Sequence, residues 1–411
     1  MSLTDEAVAA ATLVCLPQMT PTRLRTLLAH RGALSALEEI RAGRAEAILQ
    51  IAQERSRVVN FTKLANLWKE RSDPEPIRRR LQQRRTQVWL SDRADYPIVD
   101  DLPSRPAVLL GEGSNHEQLK GPRVAIVGTR SATPHGLADA RELGNYLANA
   151  GVVVISGLAI GIDAAAHEGV LEAGGVAIGV VATGLDVVYP RRHELLYQRV
   201  RNSGVIISEQ GFGVGPRRGL FPIRNRIIAA LADVVIVMEA TIKGGARITA
   251  QYALEYGRTV MAVPGSRRNA AAAGTNALIA DGAHPLIEWS DVLLALGVGV
   301  PDRLVAGVDH EVAVGLDLGT VGALAAGAGR PDCLSARRED QVAVVLQCQG
   351  VGTVAGREQI APAQLLSCAE CVSHEFLFLL LTTLLPGRTV HEPTGATPSG
   401  IKAQPEAIQG A

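Results

Sequence analysis

The chain has 411 residues, 47% of them hydrophobic and 3% aromatic, and its 41 basic residues balance its 41 acidic residues. This length predicts two or three domains with a sizeable core, and the zero net charge excludes a global basic field, so any site for a nucleic acid has to be local. Five scattered cysteines, a start without a basic, apolar leader and the lack of an apolar run of about 20 residues favour a cytoplasmic protein with no membrane segment.

Residues 1–85 are predicted to form a small helical domain without glycine-rich loops. One segment of it, "LPQMTPTRLRTLL" from Leu16 to Leu28, has the shape of a helix-hairpin-helix motif. It lacks the glycines whose amides would face a phosphate. We therefore interpret the segment as a packing module, with nucleic-acid contact as the alternative.

Residues 86–297 alternate apolar runs with helical patterns. The candidate strands are "QVWL", "AVLLG", "VAIVG", "VVVISG", "VAIGVVATG", "GVIIS", "VVIVMEA" and "RTVMAVPG". This alternation predicts an α/β fold with a Rossmann-like, doubly wound and mostly parallel sheet. Because the ligands of such sheets bind at the carboxyl ends of the strands, the residues that follow each run are candidate site residues.

The loop after the third run lies within "VAIVGTRSATPHG", Val124 to Gly136. Gly128 lets the chain turn out of the strand, and the unpaired amides of the helix that follows predict a seat for an anion, above all a phosphate. The dinucleotide motif G-x-G-x-x-G is absent, because Thr129 and Arg130 occupy the place of its second glycine. Arg130 indicates a ligand whose phosphate or carboxylate binds its guanidinium. The alternative is a surface arginine beside an ordinary turn.

Five further strand ends repeat this pattern. Gly157 and Gly161 free the backbone for the close approach of a ligand, and Asp163 is expected to cap the helix that follows them. Basic side chains, with two asparagines among them, follow the later strands: Arg191, Arg192, Arg217, Arg218, Arg224, Asn225, Arg226, Lys243, Arg267, Arg268 and Asn276. Such a collection indicates a phosphate-rich ligand rather than a small neutral one.

Read together, the segments "VAIVGTRSATPHG", "SGLAIGIDAAAH", "GLDVVYP", "FPIRNRIIAALA", "GGARITAQYALEYGR", "VPGS" and "GTNALIADGA" resemble the DNA-processing protein A family, also called DprA or Smf. The resemblance covers residues 90–296, about half of the chain, with several long motifs in the family's order. It implies a Rossmann-like protein that binds single-stranded DNA in natural transformation and recombination, is not an enzyme, and uses no cofactor or metal. It further implies a homodimer that shields incoming strands and loads the recombinase RecA in place of single-strand-binding protein.

The motifs of the resemblance imply a set of DNA-contacting positions. Arg130 with Ser131 would grip a backbone phosphate, and Asn225 would meet a base edge or a sugar. Phe221 would offer a stacking surface, as expected of a positive groove that carries stacking platforms. The full predicted set is Gly128, Arg130, Ser131, Gly157, Gly161, Arg191, Arg192, Phe221, Arg224, Asn225, Arg226, Lys243, Gly244 and Gly245.

The chain departs from the family pattern at several positions. Ile160 stands where arginine is common, His193 where asparagine is usual, and Gly244 to Arg247 replace Ser-Gly-Ser-Leu. Each of these changes would weaken the groove without removing it. The N-terminal segment is similar in kind to the family's small SAM-like helical domain, although Gln18 to Thr20 replace its hairpin glycines.

Residues 298–411 are predicted to be a linker followed by a C-terminal region that is either a degenerate winged helix, as in many relatives, or disordered. A helix is expected near Gln341 to Gln347, and the tail from Pro386 onward is expected to be disordered. Cys368 and Cys371, with His374 nearby, are donors that zinc accepts. One such pair without a second favours unligated thiols.

Three other functions stay open. An enzyme related to nucleotide phosphoribohydrolases would need a carboxylate at the glycosidic bond, and Asp163, Glu209 and Glu239 lie near strand ends, where each also has a simpler role as a helix cap or an arginine partner. A dinucleotide-dependent oxidoreductase is disfavoured by the missing fingerprint glycines. A scaffold that binds only proteins would show a DNA affinity that does not depend on the arginines above.

Overall fold

The fold is built on one β-sheet, as the alternating apolar runs predict. The structure, a computed structural model, describes residues 3–29, 32–51, 60–98, 102, 104–114 and 121–299. The predictions for the C-terminal region, including the helix near Gln341 and the cysteine pair Cys368 and Cys371, fall outside the described residues.

Nine strands lie in the described part of the chain. They are β1 (Gln87–Leu90), β2 (Val108–Gly113), β3 (Arg123–Val127), β4 (Val153–Ser156), β5 (Ala177–Val181), β6 (Val205–Ser208), β7 (Val234–Val237), β8 (Thr259–Ala262) and β9 (His284–Pro285). Their order across the sheet is β1-β2-β6-β5-β4-β3-β7-β8-β9.

The strand order identifies a doubly wound fold. The chain moves outward from β3 through β4 and β5 to β6, returns to the other side of β3 with β7, and continues through β8 to β9, with every neighbouring pair in this series parallel. Strands β1 and β2 add an antiparallel extension beside β6. The predicted Rossmann-like, mostly parallel α/β sheet is thereby confirmed.

Both faces of the parallel strands are buried, which is why these strands read as continuous apolar runs. Along β3, Val124 and Ile126 belong to the core on one face, whereas Ala125 and Val127 belong to the core on the other. The alternation follows from the two-residue period of a strand.

Seven helices within residues 121–299 cover the two faces of the sheet. They are α7 (Pro134–Asn149), α8 (Ile162–Glu172), α9 (Glu194–Ser203), α10 (Leu220–Leu231), α11 (Gly245–Glu255), α12 (Ala273–Ala280) and α13 (Ser290–Ala295). Helices α7, α8, α9 and α13 share the core that contains Val124, whereas α10, α11 and α12 share the one that contains Ala125. Helices α7 and α8 approach so closely that a methyl group at Gly144 would overlap the carbonyl oxygen of Ala166. Glycine at this position therefore permits the contact.

The described N-terminal segment is helical, as predicted. Its helices are α1 (Asp5–Cys15), α2 (Pro21–Leu28), α3 (Gly32–Arg41), α4 (Ala45–Ile51), α5 (Phe61–Arg71) and α6 (Glu75–Arg84). Their apolar side chains belong to the same core cluster as Val124, and the division of the chain into separate domains at residues 85 and 297 stays a prediction. No helix among the described residues has both the length and the apolar character needed to cross a membrane.

Candidate nucleic-acid interface

The loop that follows β3 carries Arg130 at the protein surface. Arg130 is exposed, and its guanidinium carbon lies 4.9 Å from the centroid of the Phe221 ring on α10. This separation is that of a cation–π contact. Ser131 is exposed beside it, and its N–H donates to Thr129 Oγ1 at 3.2 Å. The fold thus brings together Arg130 and Phe221, two predicted site residues from distant motifs.

The amino-terminal end of α7 does not offer the phosphate seat that the sequence predicts. The side chain of Glu239, which follows β7 and is 8% exposed, accepts a hydrogen bond from the Thr133 N–H at 2.9 Å and one from the Thr133 hydroxyl at 2.6 Å. Thr133 Oγ1 in turn accepts from the Gly136 N–H at 3.1 Å. A carboxylate of the protein itself therefore takes the place at this helix start that was predicted for a phosphate.

Arg224 and Asp163 hold the loop after β4 from within. Arg224 is 6% exposed, and its Nη1 donates to the carbonyl oxygens of Gly157, at 2.8 Å, and of Val180. Asp163 Oδ2 accepts from the N–H groups of Gly157, at 3.1 Å, and Ala159, at 3.4 Å. Asp163 is therefore not the helix cap that the sequence predicts, because it lies in the first turn of α8 and Gly161 holds the N-cap position.

Burial and the attraction between Arg224 and Asp163 shift the pKa values of these two groups in opposite directions. Burial raises the pKa of Asp163, while the charge of Arg224 and the two backbone N–H groups lower it. Burial likewise lowers the pKa of Arg224, and Asp163 opposes that change. A guanidinium begins so far above neutral pH that Arg224 stays charged.

The other polar residues of "FPIRNR" also have internal partners. Arg226 is 6% exposed, and its Nη2 lies 2.6 Å from both carboxylate oxygens of Glu209, which is itself buried. Asn225 is half-buried and donates from Nδ2 to the carbonyl oxygen of Gly245 at 3.2 Å. We therefore leave Arg226 out of the candidate surface, because its guanidinium is already paired inside the protein.

The predicted site glycines allow close packing within the protein. A methyl group at Gly128 would overlap the side chain of Ile162, and one at Gly157 would overlap the Arg224 guanidinium. Gly161 has a φ of +88°, and a side chain there would collide with the carbonyl oxygen of Thr129. These three glycines bring the loops after β3 and β4 together, so the space that the sequence assigned to a ligand is filled by the protein.

A small cavity opens where these loops meet α10. Its volume is about 30 Å³, enough for one or two water molecules and too small for a base. The exposed Arg130 and Tyr189, the half-buried Phe221 and the buried Arg224 all line it. A ligand larger than water would have to lie across the exposed side chains.

Tyr189 is the site residue that sequence reasoning missed. Its side chain is 39% exposed, and its ring centroid lies 5.6 Å from that of Phe221, with an angle of 50° between the ring planes. The "YP" motif was the available signal, but it pointed to the arginines that follow it. The structure places the tyrosine itself beside Phe221.

The remaining predicted basic residues lie at the surface around the carboxyl ends of the strands. Arg191 and Arg192 are exposed on a short 3₁₀ helix, Arg191–His193, directly after Tyr189 and Pro190. Exposed side chains also follow the neighbouring strands: Arg217 and Arg218 after β6, Lys243 after β7, and Arg267 and Arg268 after β8. Arg191 further lines a more open pocket of about 420 Å³, in which Asp186 and Glu194 offset part of its charge.

The positions that depart from the family pattern have defined places. Ile160 lines the small cavity, so an apolar side chain stands there instead of a charged one. His193 contacts the carbonyl oxygen of Leu158 through Nδ1 at 3.0 Å. Gly244 is the N-cap of α11, next to the exposed Gly245, and Arg247 binds the Ile242 carbonyl oxygen at 3.0 Å and Asp281 at 3.3 Å.

The described residues contain no group of three or more histidine, cysteine, aspartate or glutamate side chains that could hold a metal ion. The carboxylates near the strand ends, Asp163, Glu209 and Glu239, each have the internal partners given above. The site is thus made of exposed cations and aromatic rings over buried polar groups.

These features define a Rossmann-like α/β protein whose sheet presents an arginine, two aromatic rings and further basic side chains at its carboxyl edge. The family model described as DNA recombination-mediator protein A matches residues 87–297, just over half of the chain, and the chain belongs to this family. The predicted membership of the DprA/Smf family is thereby confirmed.

Individual relatives agree with this assignment. The chain is 42% identical over 220 residues to protein Smf of Synechocystis sp., a match that covers 53% of this chain and 55% of the relative. It is 41% identical over 199 residues to DNA processing protein DprA of Streptococcus pneumoniae, covering 48% and 70%. The X-ray structure of DNA processing protein A from Streptococcus pneumoniae superposes with a TM-score of 0.57 at 31% identity and covers 72% of this chain and 98% of that chain. The chain thus spans little more than half of the Synechocystis relative.

Proposed function

We propose that this chain binds single-stranded DNA across the carboxyl edge of its sheet, with Arg130 on a backbone phosphate and Phe221 beneath a base. The observation that carries the proposal is the exposed Arg130 guanidinium lying 4.9 Å from the Phe221 ring centroid. Strand binding without sequence preference needs a positive track for the backbone and flat rings for the bases, and this pair supplies one of each.

The surrounding charges support the same proposal. Arg191 and Arg192 on the short 3₁₀ helix, and Lys243 in the loop after β7, are exposed at the same edge as Arg130. A single strand that crossed these loops would bring several phosphates within reach of cations and release their counterions, so its affinity should fall steeply with salt. Because the net charge of the whole chain is zero, the electrostatic attraction for DNA has to come from this local group of basic side chains.

A binding role is better supported than catalysis. A hydrolase on this sheet would need a carboxylate free to attack or to transfer a proton. Glu209 is paired with Arg226, and Glu239 accepts two hydrogen bonds from Thr133. Asp163 holds two backbone N–H groups in the loop after β4. These carboxylates therefore serve the fold in the roles that the structure gives them.

The finer part of the proposal rests on the family resemblance. We propose that the chain acts in the cytoplasm in DNA processing and natural transformation, as a homodimer that loads RecA in place of single-strand-binding protein. The names of its relatives, DNA processing protein and DNA recombination-mediator protein, are consistent with such a role. The match covers 55% of the Synechocystis relative, so these activities of the whole protein need a direct test on this chain.

The deciding experiment measures the affinity for a labelled single-stranded oligonucleotide and for the duplex of the same sequence over a salt series. Wild type should prefer the single strand, and Arg130→Ala should lose about 1–3 kcal/mol, the scale of one charged hydrogen-bonding group. Its plot of log affinity against log salt should also become shallower by about 0.7, because one phosphate contact is lost.

Arg71→Ala is the matched control, since Arg71 is an exposed arginine on α5 in the helical segment. It should bind like wild type at every salt concentration. Weak binding without strand preference, or equal losses in the two variants, would show that Arg130 does not mark the DNA site.

A further inference from the structure

We infer that Tyr189 is a second base-stacking side chain, which together with Phe221 selects a single strand whose neighbouring bases are unstacked. This inference rests on the proposed function and extends it to the kind of strand that is bound. It is carried by the exposure of Tyr189, the angle between the two rings and the hydrogen bonds that fix the tyrosine backbone.

The Tyr189 ring is available to a ligand. It is 39% exposed and lines the same small cavity as Arg130 and Phe221. Among the described residues, Phe221 carries the Arg130 guanidinium over its ring, whereas the ring contact of Tyr189 is with Phe221 alone. A base can therefore lie on Tyr189 directly, whereas a base on Phe221 takes the place of the Arg130 guanidinium, which in the proposed complex binds a phosphate.

A buried neighbour holds Tyr189 in place. Tyr197 on α9 is 2% exposed, and its hydroxyl donates to the Tyr189 carbonyl oxygen at 2.9 Å. The same hydroxyl accepts from the Tyr189 N–H at 3.5 Å. Exposed tyrosines are common on protein surfaces, but this one has its backbone anchored on both sides by a core side chain. A ring whose backbone is fixed before binding loses less entropy when a base stacks on it.

The angle between the rings determines what they can hold. Bases in a helical stack lie nearly parallel, whereas bases lying flat on Phe221 and Tyr189 would be inclined by the 50° between those rings. A strand that uses both rings has to break the stack between two of its bases. Weakly stacked pyrimidine runs meet this demand most easily, purine runs less so, and a duplex least. The ligand class is therefore a flexible, pyrimidine-rich single strand.

The test compares Tyr189→Ala, Tyr189→Leu and Tyr189→Phe by their affinity for an oligo(dT) strand, an oligo(dA) strand and a strand of abasic residues with the same number of phosphates. Tyr189→Ala should weaken oligo(dT) binding about 5- to 150-fold, the effect of removing one stacked base. Its salt dependence should stay that of wild type, because no phosphate contact is lost. On the abasic strand, Tyr189→Ala and wild type should bind equally.

The other substitutions separate stacking from simple apolar contact. Tyr189→Phe keeps a flat ring and should bind like wild type, whereas Tyr189→Leu keeps apolar bulk and should resemble Tyr189→Ala. Leu195→Ala is the control, since Leu195 is 73% exposed on α9 and does not line the cavity. Tyr197→Phe should weaken binding in a protein that has Tyr189 and add no further loss to Tyr189→Ala.

The outcomes distinguish this inference from the proposed function. If wild type binds single strands through Arg130 but Tyr189→Ala or Tyr189→Leu matches wild type, the inference that Tyr189 stacks on a base is wrong and the proposed function stands. An equal loss on the abasic strand would likewise overturn it, because that loss cannot come from a base. If wild type shows no preference for single strands, the proposed function itself fails.

Discussion

At the residue level, burial separates two kinds of arginine at the carboxyl edge of the sheet. Arg130 is exposed on the Phe221 ring, whereas Arg224 is 6% exposed and donates to two backbone carbonyl groups. One guanidinium can bridge both carbonyls because its donors form a fixed, planar fork. Arg224 therefore holds the loop after β4 against β5 and gives the small cavity its shape, while Arg130 remains free to meet a ligand.

This difference predicts opposite phenotypes for the two arginines. Arg224→Ala should lower the free energy of unfolding by about 3–5 kcal/mol, because it leaves two carbonyl groups and the buried Asp163 without their cation. Arg130→Ala should change it by at most about 0.5 kcal/mol, as is usual for an exposed side chain. Urea denaturation followed by circular dichroism measures both values. Normal stability in Arg224→Ala, combined with a loss of DNA affinity, would instead make Arg224 a direct ligand contact.

The sequence pattern could locate these residues but could not assign their roles. Arg224 and Arg226 are two residues apart on α10 and so project about 200° apart around the helix axis. The segments that cover each direction, the loop after β4 on one side and Glu209 on the other, come from distant parts of the chain. Tyr189 was missed for a related reason, since only the fold brings it next to Phe221.

At the level of elements, the strands buried on both faces were the most predictable part of the structure. Each continuous apolar run, such as "VAIVG" or "VVIVMEA", became a strand because a buried parallel strand requires apolar side chains on both faces. The edge strand β9 was missed because its two residues, His284 and Pro285, are exposed and have no such pattern. The antiparallel pairing of β2 with β1 and with β6 depends on which strands become neighbours, and the apolar pattern of a single segment does not contain that information.

The loop after β8 offers a prediction about one such element. Asn276 on α12 accepts from the Gly265 N–H at 3.1 Å and donates to the Gly265 carbonyl oxygen at 2.8 Å, and this loop carries the exposed Arg267 and Arg268. Asn276→Ala should destabilise the protein by about 1 kcal/mol for the lost hydrogen bonds and should speed amide exchange at residues 265–270. If the loop lies on the DNA path, single-strand affinity should fall together with that of Arg267→Ala. Faster exchange with unchanged affinity would place the loop outside the path.

At the level of the whole molecule, one buried carboxylate connects the helical segment to the sheet. Glu112 on β2 is 3% exposed and accepts from Arg84 of α6 at 2.6 and 2.8 Å. Arg201 of α9 lies 3.3 Å away, and the Thr86 hydroxyl donates at 3.1 Å. Because three separate parts of the chain meet at this carboxylate, the position of the helices relative to β2 and α9 depends on its charge. The composition of residues 1–85 could predict helices but not this attachment.

The stability of the whole protein should depend on pH through His167. This side chain is fully buried in α8, and burial lowers its pKa from 6.5 to about 4, against a smaller opposing effect of the Ser156 backbone. Between these two values the unfolded chain binds a proton that the folded protein does not, so stability should fall as the pH drops from 6.5 to 4, by roughly 3 kcal/mol for a shift of this size. Asp163 acts in the opposite direction, because its raised pKa lets the folded state keep a proton that the unfolded state loses above pH 3.8, and this stability is lost as the pH rises.

His167→Gln removes only the histidine contribution. Its free energy of unfolding, measured with urea at pH 4.5, 5.5 and 7, should therefore vary less across this range than that of wild type, whatever its absolute stability. Parallel pH profiles for the two proteins would mean that His167 titrates alike in the folded and unfolded chains.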